Sequence, residues 1–257
     1  MTTQLPISTV HPTAPDHLSA MALFSAPIDV AAALSRVPKD TLETAVGLDH
    51  MDGGDVYHYM DSGVTVLVTP VIGEAEVGTG VLPPHAFHTM ITLFSSMARE
   101  GADMPDPVTD QFAAQRRAAM VAVHRAYSRL IHALMPEPAA VGVAHPELGI
   151  VYPADVLNSL NDDARFLEWV YVAVSEGDAT VGRTRGLPLF GHLDLQVAGS
   201  AHSGSDVYNM LANTAAYVIL DSGTLMPGQT LGQSEAERLP ISQGHDEKGE
   251  AILNISY

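Results

Sequence analysis

Residues 44–70 read TAVGLDHMDGGDVYHYMDSGVTVLVTP, and this run decides the fold class. Two turn signals cut it into three pieces. Asp52-Gly53-Gly54-Asp55 sets two glycines, which tolerate positive φ, at the tip of a tight hairpin, and Asp61-Ser62-Gly63 makes a second turn. The pieces 44–51, 55–60 and 64–70 read as strands. In the last, Val64, Val66 and Val68 alternate with Thr65, Leu67 and Thr69, as in a strand covered on at least one face. Strands joined by turns this short run antiparallel.

Outward from this meander the signals change period. Upstream, 1–17 is rich in Pro, Thr and Ser without period, which predicts a mobile tail, and 27–37 reads as a short helix with Pro27 in its first turn. Downstream, 72–84 is a loop rich in proline and glycine, and 88–95 is a buried strand. A long helix follows. Asp106 suits its N-cap and Pro107 its first turn. Val108, Phe112, Ala119, Val123, Tyr127, Leu130, Ile131 and Leu134 then recur at helical spacing until Pro136 and Pro138 stop it. Its polar side carries Arg116, Arg117, Arg125 and Arg129. Arg125 and Arg129 share a face, where they either pair with the protein's own acids or hold a carboxylate or phosphate.

Past Ala139 the pattern restarts. Strands are expected at 140–144 and 149–152, a short helix at 153–161, and a strand at 166–174 that holds the single tryptophan, Trp169. Strands 179–187 and 192–198 follow. A second amphipathic helix starts near Ser205, with Val207, Leu211, Thr214, Ala215 and Val218 on one face and Gly223 at its C-terminal end. Short strands around 229–231, 239–242 and 251–255 close the chain. The expectation is an α+β fold of two similar helix–strands–helix–strand units, with mostly antiparallel sheets and helices on one face. Residues 1–18 form a flexible tail, 19–138 the N-terminal unit and 139–257 the C-terminal unit, in one compact body.

Composition narrows the function classes. Twelve Lys and Arg against thirty Asp and Glu leave a net charge of −18. Such a body is repelled by nucleic acid and by anionic lipid, so neither is an expected partner. The acidity either serves solubility or attracts a basic protein. There is no cysteine, which removes disulfides, thiol nucleophiles and iron–sulfur ligation and fits a cytoplasmic location. No apolar run is long enough to span a bilayer, and no basic residue precedes an apolar run near the N-terminus, so neither a membrane span nor a secretory signal is expected.

Recurrent catalytic motifs are missing: there is no Gly-rich phosphate loop, His-Glu-x-x-His or Gly-x-Ser-x-Gly. Gly182-Arg183-Thr184-Arg185-Gly186 could cradle phosphate but lies between two predicted strands. The densest histidine patch is His50 to His58. With a turn at Gly53-Gly54, His50 pairs with Tyr57 and His58 lies across from Asp49, so the two rings take opposite faces and a local Asp49–His58 contact replaces a shared metal. His85 and His88 likewise diverge. His202-Ser203 with Asp206 suggests a nucleophile, but Ser203 and Asp206 more simply cap the helix beginning near Ser205. No metal and no cofactor are expected.

Three C-terminal stretches carry a resemblance. They are Thr184-Arg185-Gly186-Leu187 to Gly191-His192-Leu193-Asp194-Leu195, then Asn213-Thr214-Ala215-Ala216-Tyr217-Val218, then Gly228-Gln229-Thr230-Leu231-Gly232 with Ser234 and Glu235. In order and spacing they resemble the bacterial family called domain of unknown function 4261, with a threonine–glycine strand before an acidic segment, an Asn-x-Ala-x-Tyr helix and a glycine–threonine turn. Pro227 stands where that turn usually has aspartate, and Asp194 where glutamate is common. His88 to Leu93 resembles the family's histidine-led strand, which extends the likeness from about residue 21 to the end. The family name carries no activity, so the resemblance implies a fold more than a function.

Physically, Gly186, Gly191, Gly228 and Gly232 allow turns and close packing. Asn213 and Tyr217 share a helical face and either fasten the last strands to that helix or converge with Arg185 and Thr230 on a small polar pocket. Arg185, Asn213, Tyr217 and Thr230 are therefore the candidate binding residues. Two functions follow. One is a non-catalytic acidic binding protein, of the adaptor or immunity kind, that docks a basic partner. The other is an enzyme or small-ligand binder working at that cluster. Exposed strand edges would allow homo-oligomers in either case.

Overall fold

The computed structural model describes residues 7–51, 53–75, 82–95, 109–160, 162–232 and 238–257. Its elements in chain order are α1 (Ile7–Val10), β1 (His17–Phe24), α2 (Val30–Leu34), β2 (Gly47–Met51), β3 (Gly54–Asp61), β4 (Val64–Ile72), β5 (Phe87–Ser95) and α3 (Asp110–Leu134). Then come β6 (Ala140–His145), β7 (Ile150–Pro153), α4 (Ala154–Ser159), β8 (Tyr171–Ser175), β9 (Thr180–Arg185), β10 (Leu195–Ser200), α5 (Gly204–Leu220), β11 (Thr230–Leu231), β12 (Leu239–His245) and β13 (Ala251–Ile255). Strands dominate, in two mostly antiparallel sheets, and the fold is α+β.

The described residues divide into two compact units, and neither is one continuous stretch. One gathers residues from 16–102 and 118–168, the other from 1–15, 103–117 and 169–257. These boundaries replace the expected one at 138/139. The physical reason lies in β1. It pairs antiparallel with β5 on one side and with β6 on the other, so the strands beyond Pro138 extend the first sheet instead of starting a second.

That sheet has the order β2-β3-β4-β5-β1-β6-β7, antiparallel throughout. Val64, Val66 and Val68 of β4 are fully buried, and Ile91 and Leu93 of β5 join them, as the alternation predicts. Phe24 and Phe87 face each other across β1 and β5, ring centres 5.8 Å apart. The β2–β3 hairpin closes one residue earlier than expected, with Met51 opposite Gly54 and His50 opposite Asp55. Gly54 absorbs the turn with φ of 125°. His50 and His58 still take opposite faces, His50 lying 2.6 Å from Asp55 and His58 3.4 Å from Asp49. His85 and His88 do not diverge; their rings meet edge to face, centres 5.9 Å apart. His85 accepts from the Ala75 N–H and His88 donates to the Gly73 carbonyl, so both tie down the β4–β5 connection.

The expected cap and first turn of α3, Asp106 to Val108, lie outside the described residues. From Asp110 on, the periodicity is realised: Val123, Tyr127, Leu130, Ile131 and Leu134 are fully buried. Each such side chain contributes about 1.5–3 kcal/mol by leaving water. Its arginines are not a solvated face. Arg116 is buried with its guanidinium 5.2 Å over the Phe112 ring, Arg117 is part-buried, and Arg129 forms a two-bond fork onto buried Asp61. Arg125 alone of the four is exposed.

The second sheet has the order β11-β12-β13-β10-β9-β8, antiparallel except where β10 runs parallel to β13. The segment expected as strand 166–174 starts as a 3₁₀ turn, Asp162–Glu168, and the strand begins only at Tyr171. Trp169 stacks on Phe190 at 6.2 Å instead of entering the ladder. The expected tail also needs correction over its described part. His11 and Ala14 are buried in this unit, and Gly191, with φ of 64°, lets the chain at Pro12–Ala14 pass within van der Waals contact.

Helix α5 packs on β8, β9 and β10. Ser203 caps it by accepting from the Asp206 N–H at 3.2 Å, the role expected of that pair. Its contact with β9 is close because Gly182 has no side chain. A Cβ there would sit 2.5 Å from a Val207 methyl and 2.7 Å from a Leu211 methyl. Gly182→Ala is therefore expected to destabilise the unit by about 1–3 kcal/mol through overpacking. Urea denaturation followed by circular dichroism reads this directly; an unchanged midpoint would show that the helix can lift without cost. Among the described residues no helix is long and apolar enough to cross a membrane.

Candidate functional site

The α5 helix turns one face to the sheet, where Val207, Leu211, Ala215 and Val218 are buried. Beside that face runs a second stripe at helical spacing: Asp206, Asn209, Met210, Asn213 and Tyr217. This stripe forms one wall of an open cleft of about 1000 Å³. The opposite wall is the chain after the helix: Thr224, Leu225, Gly228 to Gly232, with Leu239 and Tyr257.

Of the four candidate residues, three line this cleft. Asn213 and Tyr217 project from the helix and Thr230 from the facing turn. All three are exposed, Tyr217 at 46%. The Tyr217 ring lies against Gly223, where a Cβ would meet it at 2.3 Å, so the glycine leaves the ring its place. Arg185 is not among them. It sits at the end of β9 opposite Tyr171 of the edge strand β8, away from the cleft lining. Arg183 of the same run pairs with Asp246 at 2.7 Å, so 182–186 is a strand with engaged charge and not a phosphate nest. The readings missed Asn209, Met210, Gln229, Leu239 and Tyr257. The helical stripe from Asp206 to Tyr217 was the available signal for the first two.

The far wall is shaped by turns and by buried polar groups. Gly186, Gly191 and Gly228 take positive φ, as the motifs imply. The Gln229 side chain accepts from the Met226 N–H, and the backbones of Gly228 and Gln229 bond to Ile241 of β12. Behind Leu225 two histidines stack at 4.0 Å. The Leu193 N–H donates to Nδ1 of His11, so His11 donates through Nε2 to the Leu225 carbonyl at 2.8 Å. The Leu225 N–H donates to Nε2 of His192, so His192 donates through Nδ1 to the Leu193 carbonyl at 2.7 Å. Arg117 donates to the Gly191 carbonyl and to the Thr224 hydroxyl.

Both rings are held neutral. Burial lowers His11 to about 4, helped by the Arg117 charge, and burial with the neighbouring His11 holds His192 well below its ordinary range. Burial pushes the Asp194 carboxyl up to about 6, against hydrogen bonds from Thr184, Leu187 and Gly186 that favour its charged form.

Among the described residues, the other hydroxyl and carboxylate pairs serve as anchors. In the other unit, the Ser128 hydroxyl and the His132 ring both hydrogen-bond the buried Glu168 carboxylate, at 2.7 and 2.6 Å. The Glu168 carboxylate thus ties the serine and the imidazole to one anchor, one on each oxygen. Ser203 likewise donates to Asp206 at 2.6 Å.

Residues 183–255 match the model of a family described as Domain of unknown function (DUF4261). The match spans β10, α5 and the strands that follow, including Asn213, Tyr217 and Thr230, and it bears out the resemblance carried by the C-terminal motifs. No curated protein matches the chain.

Proposed function

Taking as premise a cleft whose lining, Tyr257 apart, comes from the segment matching DUF4261, we propose that the protein is a non-catalytic binding protein of the adaptor or immunity kind. Its cleft seats a lysine- or arginine-bearing segment of a basic partner. The observation that carries this reading is the lining itself. It offers the amides of Asn209, Asn213 and Gln229, the hydroxyls of Thr230 and Tyr217 and the carboxylate of Asp206, with no lysine or arginine among the described residues. Amides and hydroxyls satisfy peptide groups, and an overall charge of −18 draws a cationic chain toward the cleft. A cysteine-free chain suits a cytoplasmic setting for this role. The second reading, a small-ligand site, is supported by a volume at the upper end of such sites.

The test is fluorescence anisotropy with a labelled Lys/Arg-rich peptide, a charge-reversed Asp/Glu peptide and free arginine as competitor. The basic peptide is expected to bind and to weaken as salt rises. Asn213→Ala and Tyr217→Ala should each weaken it about tenfold, as for anchors of a binding surface. Arg185→Ala should leave it unchanged. Equal binding of the acidic peptide, or indifference to both cleft variants, would overturn the proposal. Displacement by free arginine at the peptide's own affinity would favour the small-ligand reading.

A further inference from the structure

We propose that His11 and His192 are positioning residues for the cleft: a tautomer-locked pair that clamps Leu225 in the wall facing α5, a clamp that loses one of its hydrogen bonds when either ring gains a second proton. This rests on the cleft being the binding site. The argument is geometric. Leu225 lines the cleft, and its N–H and carbonyl both bond to imidazoles, to His192 and His11 respectively. Each ring uses one nitrogen as acceptor and the other as donor, and the two acceptor nitrogens face backbone N–H groups. A second proton on either ring sets N–H against N–H, and the bond to Leu193 or Leu225 is lost.

Among the described residues, Arg117 and the two rings themselves act on this balance. Arg117 of α3, whose guanidinium donates to Gly191 and Thr224, opposes further positive charge. Each ring opposes protonation of the other across the 4.0 Å stack. Asp194 follows His192 by two residues but turns its carboxylate to Thr184, Gly186 and Leu187. No catalytic role is implied, because neither ring reaches the cleft lining.

Two readouts on the full chain test the proposal. Long-range imidazole ¹⁵N correlation at neutral pH should show one proton per ring, on Nε2 of His11 and Nδ1 of His192. Backbone amide shifts should then be compared in His192→Ala, His192→Gln and His11→Ala. His192→Ala is expected to displace the amide signals of Leu225, Thr230 and Leu231 and to weaken the Lys/Arg-rich peptide about tenfold while far-ultraviolet circular dichroism is retained. His192→Gln, which restores an acceptor for the Leu225 N–H, should return both. If His192→Ala does not fold, His11→Ala carries the same expectation through the Leu225 carbonyl. Doubly protonated rings at neutral pH, or unmoved cleft amides in both alanine variants, would overturn the clamp. If the peptide fails to bind even the unaltered protein while the amides move as expected, the clamp stands and the binding reading falls.

Discussion

Replacing Arg129 with alanine is expected to cost about 3–5 kcal/mol, the largest effect of any single change on the surface of α3. Its guanidinium donates Nε and Nη2 to the two carboxylate oxygens of Asp61, at 2.7 and 2.8 Å. Asp61 is fully buried at the end of β3. Without Arg129 that carboxylate keeps its desolvation cost and loses its compensation. Lysine at 129 keeps the charge but not the fork, so Arg129→Lys should recover only part of the loss. The decisive comparison is Asp61→Val with Arg129→Leu, which removes both charges and is expected to lie within about 1–2 kcal/mol of the parent. Urea midpoints of the variants check this. A single-alanine loss below about 1 kcal/mol would mean that the pair behaves as a solvated surface bridge.

The second large effect is acid lability. Among the described residues, four of the buried histidines are held neutral by their burial. Burial lowers His11 and His145 to about 4 and His124 to about 3, and holds His192 well below its ordinary value. An unfolded chain takes up these protons near 6.5. Between about pH 6.5 and 4 the unfolded state therefore binds more protons, and stability falls as pH falls. Above 6.5 these groups contribute a constant amount. Each histidine can remove about 1.4 kcal/mol per pH unit across its window. Asp194, raised to about 6, works in the opposite direction and offsets roughly one histidine. The remainder is comparable with the whole stability of a small domain, about 5–15 kcal/mol, by pH 5 or slightly below. Urea unfolding at pH 7.5, 6.5, 5.5 and 5.0 should give a plateau followed by a steep decline. Equal stabilities at pH 7.5 and pH 5.0 would show that these rings are solvated.

Much of this architecture was legible in the chain. The Val64, Val66, Val68 alternation, the glycine turns of the meander, and the apolar series through α3 and α5 gave the elements because each depends on neighbours within a few residues, although the first hairpin closes one residue earlier than its glycines imply. The stripe with Asn213 and Tyr217 was legible for the same reason, since one helical face follows from spacing alone. Thr230 joined it through the turn motif. Arg185 was grouped with them because it lies in one of the motif stretches, but β9 carries it to the Tyr171 side, off the cleft lining. Arg116 and Arg117 fall on the polar side of the helix by spacing, but spacing does not give their partners: one covers Phe112 and the other holds Gly191.

The amino-acid sequence by itself determined most of the strands, though not β1, the two long helices, the acidic balance and the motif stretches of the C-terminal segment. Local backbone preference and apolar period need no distant partner. Tertiary structure alone decided that β1 lies between β5 and β6, that β10 runs beside β13, and that His11 finds His192. Such pairings join segments far apart along the chain, and no local period marks them. They form because together they bury apolar faces and satisfy polar groups that each segment alone would leave in water or unpaired.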